Sequence, residues 1–153
     1  MLPLSVKYRW SGLFVPEILA AQATPLAIQA LIDISMFGFA YASGACLHYL
    51  EKRGPIVLPH IEAAFAKDNA FDPIKTGIVA VLGNIQTPAA YRLLLGFLEH
   101  ESAHIVNWAG AALGKFDKTE ALAQMQAANA RIGGQRMIET AILHLKDIEN
   151  SVP

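Results

Sequence analysis

The segment Ala80-Val81-Leu82-Gly83-Asn84-Ile85 returns as Ala111-Ala112-Leu113-Gly114-Lys115-Phe116, displaced by 31 residues. A fainter echo, Leu143-His144-Leu145-Lys146-Asp147-Ile148, follows 32 residues after the second copy, and Leu50-Glu51-Lys52 precedes the first by 32. A unit of that length holds two helices and a turn but cannot bury its apolar face alone. Stacking such units side by side gives each one the neighbour it needs, so the recurrence predicts an array of helix pairs.

Local signals agree with helices. Residues of high strand propensity are scattered, and no stretch sustains period-two alternation. Thr24-Pro25, Asp72-Pro73 and Thr87-Pro88 each place a capping side chain before proline at the first helical position, where the missing N–H is not needed. Asp117-Lys118-Thr119-Glu120 has the form of a capping box. Gly54 and Gly133-Gly134 are natural stops, because glycine tolerates the left-handed conformation beyond a helix end. Between these marks the sequence predicts helices over 16–23, 25–33, 35–52, 56–67, 73–84, 88–99, 103–115, 119–131 and 135–149. Pro59 should delay or kink the fourth of them. Gly12, Gly38, Gly44, Gly77, Gly96 and Gly110 are expected to permit close helix packing. The expected fold is all-α, a short α-α superhelix of antiparallel pairs forming a single domain over residues 1–153.

The Ala-x-Leu-Gly-x-Ile/Phe ending, followed by a short turn and a second helix, resembles HEAT-like repeats of the phycobilisome-lyase type. The two clear copies lie within 73–131. The resemblance implies a solenoid whose second helices line the concave, partner-binding side. On that face it places His60, Glu62, Lys67, Arg92, Leu93, Gln124 and Arg131. The opposite stripe, Tyr91, Leu94 and Phe97 with Leu122, Met125 and Ala128 one repeat later, is expected in the core.

Composition narrows the function classes. Apolar residues make up 54% and charged residues 16%, which excludes a disordered chain and suggests apolar surface left over for a partner. The net charge of −1, with no cluster of Lys and Arg, argues against nucleic acid. Met1 to Trp10 lack the charged-then-apolar plan of a secretory signal, so the expected compartment is the cytoplasm. The charge-free run from Ile34 to Leu50 approaches the lower length of a spanning helix, yet its Ser, Gly, His and Tyr content suits a buried helix better, and no membrane partner is expected. Cys46, the sole cysteine, lies in this run and reads as a buried small hydrophobe rather than a bilin attachment point.

One motif points elsewhere. His100-Glu101-Ser102-Ala103-His104 has the His-Glu-x-x-His form in which, on one continuous helix, His100 and His104 would bind zinc and Glu101 would activate water. A third ligand could come from Glu120, Glu139 or His144. The repeat register instead places 100–102 in a turn with Ser102 as the N-cap. HEAT-repeat iron hydroxylases carry a comparable His-Glu pair, but there it recurs and is followed closely by the Leu-Gly pattern; here it occurs once. No phosphate-binding glycine loop or nucleophile elbow is present. The sequence therefore favours a non-enzymatic protein-binding module without cofactor or metal. Within that class it suits a small inhibitor or immunity-type protein masking another protein, with a scaffold subunit or a zinc-dependent hydrolase as alternatives.

Overall fold

The computed structural model describes residues 15–22, 24–37, 40–66 and 72–131, with helical positions Glu139, Ile142, Leu143 and Lys146 beyond them. These residues are all-α: α1 (residues 15–21), α2 (Pro25–Phe37), α3 (Ala40–Arg53), a 3-10 turn (Gly54–Val57), α4 (Leu58–Ala66), α5 (Asp72–Ile85), α6 (Pro88–Phe97), α7 (Ala103–Leu113) and α8 (Lys118–Arg131). Lys67, Gly133-Gly134 and most of the helix expected over 135–149 lie outside the described residues. The chain divides into two compact units, Met1–Ala70 and Phe71–Pro153. Each is considered by itself.

In the first unit the capping signals act as their chemistry requires. The Thr24 hydroxyl accepts from the Ala27 N–H at 3.2 Å and starts α2 at Pro25. α2 runs past Asp33, where a boundary was expected, because Ile32, Ser35 and Met36 continue its buried stripe. The buried Ser35 hydroxyl is satisfied by donating to the Ile32 carbonyl at 2.7 Å. α2 packs chiefly on α3 and also meets α4. Ile28, Leu31, Ile32, Cys46, Leu50 and Ile61 are fully buried there. Gly54 turns the chain out of α3 with φ of +63°, and α4 begins only at Leu58, so Pro59 sits in its first turn where it breaks no hydrogen bond. Arg53, at the end of α3, donates to the Gln22 carbonyl at 2.6 Å and to that of Ala20, holding the carbonyl end of α1 against a cation.

The second unit contains both clear copies of the recurrence. α5 packs chiefly on α7, α6 lies against both, and α8 meets α7. Leu82 and Leu113, equivalent positions 31 residues apart, are both fully buried. Lys115 Nζ donates to Oδ1 of Asn84, its own equivalent in the earlier copy. Gln86 Nε2 donates to the Lys115 carbonyl at 3.0 Å. The ends of α5 and α7 therefore lie side by side. Lys75 in α5 is also fully buried and has an interaction partner, as a buried polar group requires. The α6 and α8 starts follow their caps: Thr87 Oγ1 accepts from Ala90 N–H at 3.3 Å, and Asp117 Oδ1 from Glu120 N–H at 3.0 Å.

The glycine expectation needs correction. A Cβ on Gly44 or Gly96 would meet nothing within 4 Å, so neither permits a close approach. Gly83 does allow one: its added Cβ would lie 3.0 Å from the Ala112 Cβ, 3.1 Å from its Cα and 3.2 Å from its carbonyl oxygen. Two of those atoms are backbone and yield only if the helices separate. Gly83→Ala is expected to lose roughly 1–2 kcal/mol of unfolding free energy despite alanine's better helix propensity. Gly44→Ala, in open space on α3, should gain about 0.5–1 kcal/mol. Urea denaturation of the two variants beside the parent checks both signs.

Candidate functional site

Because α7 takes the place beside α5, α6 and α8 flank an open hollow of about 760 Å³. Tyr91, Arg92 and Leu95 line it from α6, Phe116 and Asp117 from the turn, and Glu120 and Gln124 from α8. Tyr91 with Leu95, and Glu120 with Gln124, are four residues apart and so share a helix face. A second hollow of about 250 Å³ shares Leu95 and Gln124 and runs on past Ala128 to Glu99 and Arg131. At that end Arg131 pairs with Glu99 at 2.9 Å. Both side chains are more than half exposed, so the pair adds little stability, but it occupies the guanidinium.

Of the expected binding residues, the structure brings Arg92, Gln124 and Arg131 to this groove. Leu93 is half-buried on α6 and lines neither hollow. His60, half-buried, and Glu62, exposed, are on α4 in the other unit. Lys67 lies outside the described residues.

The core expectation holds for Leu94, Met125 and Ala128 and is incomplete for Tyr91, Phe97 and Leu122, which are only partly buried. Tyr91 in particular lies at the margin of its stripe. Its ring meets that of Phe116 at a centroid distance of 5.2 Å and an angle of 59°. Its hydroxyl is covered by protein yet has no hydrogen-bond partner. Burial first, then the negative charges of Glu120 and Asp117, push the phenol above its ordinary value. Gln86, at the same end, adopts a φ of 49°, a left-handed conformation uncommon outside glycine. Phe116 is visible in the recurrence as the partner of Ile85, and Asp117 as that of Gln86, but the repeat pattern marks them as turn residues and says nothing of a groove.

The His-Glu-x-x-His segment does not form one helix. α6 ends at Phe97, α7 begins at Ala103, and Ser102 is the N-cap residue with extended backbone, φ −82° and ψ 119°. The Ser102 hydroxyl makes no capping bond; its N–H instead donates to His100 Nδ1 at 3.0 Å. His100 thus belongs to the turn, beside the edge of Phe97, while His104 is exposed in the first turn of α7. The one-face geometry that pairs two such histidines on a metal is lost. Among the described residues no group of three or more His, Cys, Asp or Glu is placed to hold a metal ion; His144 lies outside them.

The charge-free run 34–50 is shared between α2, described to Phe37, and α3, described from Ala40. Among the described residues no helix is long and apolar enough to cross a membrane. Cys46 is fully buried in α3, and burial pushes its thiol up to about 11. Compared with families of proteins, with curated proteins and with solved structures, the chain matches none.

The Cys46 environment sets a pH dependence. The folded state keeps its thiol proton where the unfolded chain, with an ordinary value near 9, releases it. This contribution to stability is complete below about pH 9 and declines as pH rises toward 11. Cys46→Ala should therefore show a shallower loss of stability over that interval than the parent, measured by denaturant titration at each pH. A soluble thiol reagent at pH 8 should modify the parent only on unfolding.

Proposed function

We propose that the chain is a non-enzymatic protein-binding module, a short HEAT-like α-solenoid in which the α5–α6 and α7–α8 pairs are successive repeats and the groove between α6 and α8 receives the partner. The observation that carries this reading is the groove itself: open, floored by apolar and aromatic side chains, and rimmed by Arg92, Asp117, Glu120 and Gln124. A partly apolar floor with a polar rim is the composition of protein contact surfaces, where aromatic and arginine anchors supply most of the affinity. The adjacency of equivalent positions Asn84 and Lys115 supports the stacked-repeat reading, since neighbouring repeats place equivalent side chains in contact. The broken His-Glu-x-x-His segment weighs on the same side, against the zinc-hydrolase alternative.

Within this class the reading is a small inhibitor or immunity-type protein, acting in the cytoplasm by covering a functional surface of another protein. Capture from lysate of its source cells with tagged parent should recover one stoichiometric partner, whose own activity falls on complex formation. Arg92→Glu combined with Gln124→Arg, both exposed positions, should keep the fold by circular dichroism and weaken capture by at least about tenfold. Trp108→Ala, 44% exposed on α7 and absent from the groove lining, should leave capture unchanged. Recovery of no partner, or equal recovery by the groove variant, would sink the assignment.

A further inference from the structure

We propose that the Tyr91–Phe116 end of the groove binds an arginine side chain of the partner protein, its guanidinium against the two rings and beside the Asp117 and Glu120 carboxylates. This rests on the protein-binding reading and gives it a ligand chemistry.

The observations converge on that end. Tyr91 and Phe116 are both only partly buried, and both line the hollow, so aromatic surface faces the space a ligand would enter. Asp117 and Glu120 are exposed and line the same hollow. One Asp117 oxygen accepts the Glu120 N–H as a helix cap, which leaves its second oxygen to a ligand. The Tyr91 hydroxyl is covered by protein, so what Tyr91 offers a ligand is its ring. Arg92 is the cation in the lining, so two carboxylates face one guanidinium and the excess is negative. The field reaches the Tyr91 phenol, whose upward shift includes contributions from both carboxylates.

A cation is the complement of such a site, and its shape selects arginine over lysine. A guanidinium is planar, less strongly hydrated than an ammonium, stacks on aromatic faces and presents a fork of donors to carboxylates. An ammonium keeps the charge but loses the stacking and the fork.

The test uses the full chain, 15N-labelled, titrated with acetyl-Ala-Arg-Ala amide. Saturable amide shifts are expected, confined to residues 86–92 and 116–124. The Lys peptide should bind more weakly by severalfold, and the Gln peptide should produce no saturable shift. Asp117→Asn with Glu120→Gln removes both charges, and asparagine preserves the cap. That double variant should weaken Arg-peptide binding at least about fivefold. Absence of a saturable shift with the Arg peptide overturns the proposal. So does equal binding of the Gln peptide, or unchanged affinity in the double variant. Because the peptide itself supplies the guanidinium, its failure removes the arginine site alone. The protein-binding reading stands or falls separately, on capture by the Arg92 and Gln124 variants.

Discussion

The second unit is organised by the contact of α5 with α7 at Gly83 and Ala112. With no Cβ on Gly83, the backbone of α7 lies so near α5 that an added Cβ would meet it at 3.0–3.2 Å, tighter than ordinary van der Waals contact. Leu82 and Leu113 are buried by that approach, and the ends of the two helices are then joined by Asn84, Lys115 and Gln86. Once α5 and α7 are neighbours, α6 and α8 have positions outside them, and the space between these two becomes the groove. A wider α5–α7 spacing would alter every distance across it.

The groove owes its chemistry to residues that serve the fold first. Asp117 is there because α8 needs a cap, Phe116 because the chain must turn after α7, and Gln86 because α5 must end. Their side chains converge because equivalent ends of successive helices are stacked. Turn residues of the two sequence copies lie at the same end of the unit and differ between the copies. Ile85 is answered by Phe116 and Gln86 by Asp117, so the two copies of the sequence recurrence carry different groups.

Much of the local structure was legible in advance because its causes are local. Thr24-Pro25 and Thr87-Pro88 start helices through hydrogen bonds within four residues, and Gly54 turns the chain through its own φ. The same local logic placed Ser102 at a helix start and so separated His100 from His104, although the His100 side chain, not the Ser102 hydroxyl, supplies the polar contact. Less legible were features that depend on what faces a residue across space. Six glycines read alike in the sequence, but an open surface surrounds Gly44 and Gly96, while Gly83, outside that set, meets another backbone. Lys75 carries no apolar signal, yet it is fully buried.

The division follows the range of the forces involved. Helical character, most helix limits and the 31-residue recurrence follow from the sequence itself, since backbone hydrogen bonding, capping and apolar periodicity act over one or two turns. Which exposed residues share a surface was decided only by tertiary packing. That packing brought Arg92, Gln124 and Arg131 to one groove, left Leu93 out of it, and assigned His60 and Glu62 to a different unit. It also moved Tyr91 from the expected core to the groove wall, because its ring found Phe116, 25 residues along the chain, rather than the interior of its own helix pair. Residues on one helical stripe are equivalent until a neighbouring helix covers some of them and leaves the others in water.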